Sequence, residues 1–347
     1  MNFFKKNFFN SKNKIGVDIS DNSIKFAQIG NNKKNNILQK FGNFSLAKGD
    51  VIDGKIVNEK NVKKIIKDAY FKLNLDSKKI IYSVPEKNVF HRTIILSQIN
   101  ENKIDEVVKW EINSDRQEAV ENFYYTWNIV DYLEEEEKSV VDISFVSKNI
   151  VEQMNRMFTD LNLQVLGCEF ESNTYLNYLP RDKFVNKSLL IIDVSDKNSN
   201  FTIYDKGSVK LTVDNCFSSD LMTDILAKTF NISFDEAEKM KQTQGIGQVF
   251  NNDHFFNAVQ PVVDGIVMDA KNLENFYLEQ NNLGNSIDDV LVVGGGARMK
   301  GLSKYLAYRL EKREISLGRR GDVCVDGLDL RENELAQYVV AIGTALS

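Results

Sequence analysis

The sequence predicts an α/β protein built from two similar domains, with a separate α+β segment inserted in the first. Three observations carry that reading. The apolar run Val290, Leu291, Val292, Val293 leads directly into Gly294, Gly295 and Gly296, and then into a segment with Leu302, Tyr305, Leu306 and Leu310 on one helical face. A strand–turn–strand unit bearing Asp18 returns in the same plan around Asp193, an internal repeat. Between Glu86 and about Gln164 the pattern changes to one that fits neither copy of the repeat.

Taken in order, Lys14–Ile29 alternates as a strand, turns at Asp21-Asn22 and returns as a second strand. A helix over Glu59–Leu73 and a strand over Ile80–Pro85 follow. The inserted segment reads as a helix around Asn102–Asn113, a strand from Phe123 to Val130, a strand from Ser139 to Ser147 and a helix to Leu161. The acidic run Glu134–Glu137 between those strands reads as a solvated hairpin loop. From Ser188 the chain gives a strand, a polar turn, a strand, a turn at Lys206-Gly207 and a third strand. Helices are expected at Leu221–Thr229, Phe234–Gln242, Phe255–Gln280 and, last, Glu334–Ala345.

Composition bounds the function classes. The 347 residues, 42% hydrophobic and 27% charged, suffice for two or more domains. No apolar run approaches the roughly 18 residues of a membrane span. The amino terminus has too short an apolar core for a signal peptide, so a cytoplasmic location is expected. Cys168, Cys216 and Cys324 are far apart and accompanied by only two histidines, which argues against a disulfide framework or a structural zinc site. A net charge of −5 argues against nonspecific nucleic-acid binding. In the leader, residues 1–13, Phe3, Phe4, Phe8 and Phe9 interleave with Lys5, Lys6 and Lys12. Both a frayed end and a contact with an anionic membrane surface are compatible with that mixture.

The glycine segment has two readings from its residues alone: a tight packing turn, or bare backbone brought up to a phosphate-bearing ligand. Met299 stands where the last glycine of a dinucleotide fingerprint belongs, which excludes that motif.

Six segments in order carry a resemblance. They are GVDISDNSIK (Gly16–Lys25), RTIILSQINENKIDEVVKWEI (Arg92–Ile112), IIDVSDKNSNFTIYDKG (Ile191–Gly207), ISFDEAEKMK (Ile232–Lys241), VLVVGGGARMKGL (Val290–Leu302) and AIGTALS (Ala341–Ser347). Together they resemble the actin-like ATPase superfamily and, within it, the PilM family of type IV pilus assembly, which is related to FtsA. The resemblance implies an actin-like, ribonuclease H-like two-domain fold with an inserted α+β subdomain of the 1C type. Its implied boundaries are 14–85 with 165–187 and 335–347 (1A), 86–164 (1C), 188–230 with 285–334 (2A) and 231–284 (2B).

It also implies ATP with Mg²⁺. Asp18 and Asp193 would hold the metal through its waters, since magnesium keeps most of its hydration shell. Lys25 would reach the β-phosphate, with Ser20, Asn22, Ser23 and Ser195 completing the phosphate segments. Glu238 and Lys241 would meet ribose and base, Gly294, Gly295 and Gly296 would approach with backbone, and Arg298 would stack on the adenine. Glu171 stands where the family places its water-polarising glutamate. By residue chemistry alone, the two aspartates also read as turn caps, and Glu238–Lys241 as an exposed ion pair of little worth.

The chain departs from the family pattern in both hairpins. Ser20 and Ser195 replace glycines, at a cost of about 1 kcal/mol if the turn needs positive φ. Asp21 and Asp196 follow, and each like-charge contact with a triphosphate would cost roughly 3–4 kcal/mol at an effective dielectric near 20. Glu171 is followed by Ser172 in place of the family's proline. The expectation is an inherited but degraded nucleotide site with weak or absent ATPase activity.

The main expected role is binding the cytoplasmic N-terminal peptide of a PilN-like inner-membrane protein, near Val89–Leu96 and the Asn102–Ile112 helix. Two alternatives stand beside it. One is an active ATPase or phosphotransferase on the same fold. The other is an FtsA-like polymerising protein, disfavoured because no linker and amphipathic helix follow the AIGTALS segment.

Overall fold

The structure is a computed structural model that describes residues 13–32, 35–97, 101–116, 119–133, 138–179, 184, 187–205, 207–246, 254–280, 287–315, 323–324 and 332–347. Residues 1–12 of the leader, the acidic run Glu134–Glu137 and Lys206 lie outside them. The chain divides into two compact units, 1–178 with 340–347 and 179–339.

In the first unit, β1 (Lys14–Ile19) pairs antiparallel with β2 (Ser23–Asn32), which pairs with β3 (Asn35–Ser45). A small hairpin, β4 (Val51–Ile52) with β5 (Lys55–Ile56), precedes α1 (Glu59–Lys72). Asn58 caps α1 by accepting the Asn61 N–H, and Val62, Ile66 and Ala69 form its buried stripe. Strand β6 (Lys79–Val84) then runs parallel to β1.

Strand β1 forms where the sequence places it, and all six of its residues are buried. Ile15, Val17 and Ile19 lie in one core with residues of α1 and of α3, described below. On the other face Gly16 lies under the closing helix, Val339–Leu346: a Cβ there would stand 1.9 Å from the Ala341 carbonyl oxygen. A strand covered on both faces is buried throughout even where its residues alternate.

The inserted segment forms its own layer. Strands β7 (Val89–Ser97), β8 (Phe123–Leu133) and β9 (Lys138–Ser147) make an antiparallel sheet in the order β7-β9-β8, joined to α2 (Glu101–Arg116). Ile104, Val108 and Ile112 of α2 pack with Val141, Ile143 and Phe145 of β9 in a second core. Helix α3 (Lys148–Asp160), strand β10 (Gln164–Phe170) and α4 (Glu171–Tyr178) complete the unit, with strand order β10-β6-β1-β2-β3. Sequence periodicity does not resolve β3, the β4–β5 hairpin, β10 or α4.

The second unit repeats the plan. Strands β11 (Leu189–Val194), β12 (Ser199–Asp205) and β13 (Ser208–Asn215) form a meander, and β14 (Asp289–Val293) lies parallel to β11. With β15 (Arg313–Glu314) the order is β13-β12-β11-β14-β15. Among the described residues the unit's longer helices are α5 (Ser219–Phe230), α6 (Phe234–Thr243), α7 (His254–Gln280) and α8 (Leu302–Arg309). A reciprocal capping box between Ser233 and Glu236 starts α6.

The two hairpins match in register. Asp18 pairs with Lys25 and Ile19 with Ile24 in the first; Asp193 pairs with Asn200 and Val194 with Ser199 in the second. Both turns are closed alike, Ser20 N–H to the Ser23 carbonyl and Ser195 N–H to the Asn198 carbonyl, each at 2.9 Å.

Candidate functional site

In the first unit, Asp18 is the penultimate residue of a fully buried strand and is itself 3% exposed. A carboxylate cannot be held there without partners. Lys25, directly across the ladder, supplies an ion pair, Nζ to Oδ2 at 3.1 Å, and Ser83 donates its hydroxyl to Oδ1 at 3.1 Å. The first turn is closed by its own hydroxyls: Ser20 Oγ donates to the Ser23 carbonyl at 3.1 Å and lies 3.3 Å from Ser23 Oγ. Asn22 accepts the Leu46 N–H at its carbonyl. Asp18, Ser20, Asn22, Ser23 and Lys25 are thereby gathered at one end of the β1–β2 hairpin.

Two expectations about the turns need correction. Neither Ser20 nor Ser195 is among the described residues with positive φ, so replacing glycine there carries no backbone strain. The acids that follow also differ from one another. Asp21 accepts the N–H groups of Asp53 at 3.0 Å and Gly54 at 2.8 Å. It thus caps the β4–β5 turn, whose two residues both have left-handed φ. Asp196 instead faces the glycine segment: a Cβ on Gly295 would stand 3.3 Å from Asp196 Oδ1.

Glu171 opens α4, and its Oε2 accepts the Glu86 N–H at 2.9 Å. Glu86 reciprocates, its Oε2 accepting the Ser172 N–H at 3.1 Å. Its other oxygen meets His91 Nε2 at 2.5 Å, and His91 Nδ1 lies 2.8 Å from Ser144 Oγ. Burial alone would lower the His91 pKa; attraction and hydrogen bonding from Glu86, with a smaller attraction from Asp142, outweigh it and hold the imidazole above its ordinary value. Sequence reasoning missed Glu86, whose signal is slight: an acid just after Pro85, where the chain leaves β6.

In the second unit, Asp193 is 2% exposed and accepts the Ser195 hydroxyl at 2.8 Å. It pairs with Val293, the last residue of β14, so Gly294 follows immediately beside it. Gly294 has φ +90°, and a Cβ there would stand 2.2 Å from Asp193 Oδ1. Gly296 lacks room as well, since a Cβ would meet Val194 Cγ1 at 2.5 Å. Gly295 differs: its φ is −62°, and a Cβ added there would meet nothing nearer than Asp196 Oδ1. Backbone conformation does not demand glycine at Gly295, and the one neighbour a Cβ there would press on is Asp196 Oδ1. Arg298 is half-buried in the 3-10 turn Gly296–Arg298, and its guanidinium has no ion-pair or hydrogen-bond partner among the described residues. The predicted helix does not follow the glycines directly, because α8 begins at Leu302 beyond that turn and Gly301, φ +80°. The anion-attracting end of α8 is therefore displaced from the triple glycine.

Glu238 and Lys241 are not an exposed pair. Lys241 is 3% exposed, and its ammonium donates to the Ser219 carbonyl at 3.0 Å, Ser219 Oγ at 2.6 Å and Thr223 Oγ1 at 2.7 Å. Glu238 Oε2 stands 2.7 Å from it and also accepts the Thr223 hydroxyl at 2.7 Å. Burial pushes the Glu238 carboxyl up, but Lys241, Thr223 and Gln242 together bring it below its ordinary value. Ser219 and Thr223, one helical turn apart on α5, are partners that no local sequence pattern reveals.

Comparison with solved structures sets this fold among actin-like proteins. A structure described as a PilM-PilN type IV pilus biogenesis complex is similar at TM-score 0.80 and 16% identity, covering 96% of this chain and 98% of that one. Ethanolamine utilization protein EutJ from Carboxydothermus hydrogenoformans is similar at 0.57 and 14%, covering 98% and 91%. MreB5 of Spiroplasma citri, solved with ADP, is similar at 0.54 and 12%, covering 96% and 95%. At these identities the likeness shows the actin-like fold. No curated protein matches the sequence. Among the described residues, no helix is long and apolar enough to cross a membrane. Residues 16–347 match the family described as type IV pilus assembly protein PilM, and the chain belongs to that family.

Proposed function

We propose that this chain is the cytoplasmic actin-like scaffold of a type IV pilus, or of a related secretion or competence apparatus, at the inner face of the cytoplasmic membrane. There it binds the N-terminal cytoplasmic peptide of a PilN-like inner-membrane protein. The family match over 16–347 carries this reading, and the likeness to a PilM-PilN complex over 96% of the chain supports it.

The inserted sheet offers a surface of the right kind. Strand β7 is at the edge of the β7-β9-β8 sheet, where unpaired backbone groups can take an extended peptide. Ile95 on β7 and Trp110 on α2 are exposed, at 60% and 65%, and Arg92 of β7 pairs with Glu111 of α2 at 2.7 Å. Capture of the immobilised peptide by the full chain, and its loss in Ile95→Asp or Trp110→Ala, tests the proposal. Undiminished capture by both variants removes this surface from it.

The nucleotide site is the second part of the proposal. Asp18 and Asp193 would hold a hydrated Mg²⁺, Lys25 a phosphate, Gly295 the ligand's backbone-facing edge and Arg298 its base or phosphates. The metal's chemistry there is neutralisation of phosphate charge. Gly295, whose backbone does not demand glycine, and Arg298, whose guanidinium has no partner among the described residues, fit a nucleotide, whereas Asp196, which faces Gly295, opposes an anion. Glu171 commits one oxygen to the Glu86 N–H, which supports weak or absent turnover. Titration calorimetry with Mg-ATP and Mg-ADP tests this part: submicromolar affinity with steady hydrolysis would refute a degraded site.

A further inference from the structure

We infer that Lys241 is a positioning residue for the second aspartate hairpin, holding it through the first turn of α5 without touching a ligand. The inference rests on the nucleotide reading of that hairpin and deepens it. The path is continuous. Lys241 holds the carbonyl and hydroxyl of Ser219, the first residue of α5. The Ser219 N–H in turn donates to the Ser195 carbonyl at 3.0 Å, and the Asp220 N–H to the Asp196 carbonyl at 3.0 Å. Ser195 then donates its hydroxyl to Asp193. One ammonium on α6 thus fixes the end of α5 that carries the turn.

Helix stability does not account for this placement. A cation in the first turn of a helix opposes the macrodipole, and α5 already has Ser218 as its cap, accepting the Leu221 N–H. A lysine serving only as a surface ion pair would also not be buried against three neutral acceptor atoms, on Ser219 and Thr223, besides Glu238. The Glu238 carboxyl is held below its ordinary value despite burial, so a carboxylate faces Lys241 near neutral pH. The arrangement also explains why an acidic and a basic residue three apart on α6 can matter to a phosphate site: they act through Ser219 and Thr223.

Lys241→Met tests the inference, with Lys312→Met as control, because Lys312 also has a buried side chain, 2.7 Å from Glu274 and 2.6 Å from the Ile287 carbonyl. Amide hydrogen exchange of the full-length protein reads the hairpin without any ligand. Losing a hydrogen bond to a charged group predicts exchange at Ser219 and Asp220 faster by roughly tenfold to a hundredfold in Lys241→Met. Lys312→Met should leave those two amides as they are. Equal protection in Lys241→Met and wild type, or equal loss in both variants, overturns the inference. Thr223→Val, which removes one acceptor and leaves the lysine, should show the same pattern more weakly if Lys241→Met does not fold.

Affinity provides the second readout. If Lys241 positions the turn, the Kd values for Mg-ADP and for Mg-pyrophosphate should rise together in Lys241→Met. A loss confined to Mg-ADP would mean direct contact with ribose or base and would overturn positioning. If the wild-type chain binds neither, the nucleotide reading itself fails, and the exchange measurement still decides whether Lys241 holds the turn.

Discussion

Replacing Lys25 by Met should destabilise the first unit through Asp18 rather than through lost packing. The two side chains are 11% and 4% exposed and 3.1 Å apart. At an effective dielectric near 20, that separation corresponds to a gross attraction of about 5 kcal/mol, offset in part by the desolvation of both groups. Removing one partner strands the other as a buried charge, a change that typically costs about 3–5 kcal/mol. Ser83 still donates to Asp18 in the variant, so the low end, about 3 kcal/mol, is expected. For a unit of this size that corresponds to a fall in Tm of roughly 6–12 °C. The double variant Asp18→Asn with Lys25→Met removes the stranded charge and should recover at least about 1 kcal/mol. The chain's only two tryptophans, Trp110 and Trp127, both lie in the first unit, so tryptophan fluorescence during thermal or urea unfolding follows that unit selectively. A Lys25→Met loss under about 1 kcal/mol, or a double variant no more stable than the single, would refute the reasoning.

Three further outcomes follow from the same geometry. Gly294→Ala should cost about 2–4 kcal/mol, combining positive φ with overlap at Asp193, while Gly295→Ala should change folding stability by less than about 0.5 kcal/mol; chemical denaturation of both checks this, and equal effects contradict it. Asp196→Gly should tighten Mg-nucleotide binding by about tenfold or more by removing a like charge, whereas Asp21→Gly should leave affinity unchanged and loosen the β4–β5 turn, a difference that calorimetry of the two single variants resolves. The raised His91 pKa implies a contribution to first-unit stability that is complete below the ordinary histidine value of about 6.5 and is lost as pH rises through the raised value. His91→Gln should flatten that slope, and a slope that persists in the variant would assign it to another group.

How much of this was legible in the sequence depended on how local each cause is. The two hairpins followed from turn residues between apolar runs, and the glycine bend from three consecutive residues without a Cβ, all readable over a short stretch of chain. Helices α1, α6 and α7 announced themselves by spacing. Strands β3 and β10, by contrast, are strands because of what they lie beside: β3 continues the sheet from β2, and β10 pairs parallel to β6 across a long separation in sequence. No local pattern carries that information.

The candidate site divides along the same line. Residue pattern and repetition singled out the two Asp-bearing hairpins and the triple glycine, the family resemblance added Lys25 and the aspartates' roles, and the structure gathers each set within its own unit. Only the tertiary structure decided what their neighbours do. Asp21 and Asp196 occupy matching positions, yet one caps a distant turn and the other faces the glycines, because different segments pack against the two hairpins. Lys241 and Glu238, three residues apart, read as a surface pair until α5 brings Ser219 and Thr223 to them. A side chain's type and spacing are properties of the chain itself. Its hydrogen-bond partners are set by long-range packing, since a buried charge takes whichever acceptors the neighbouring elements deliver.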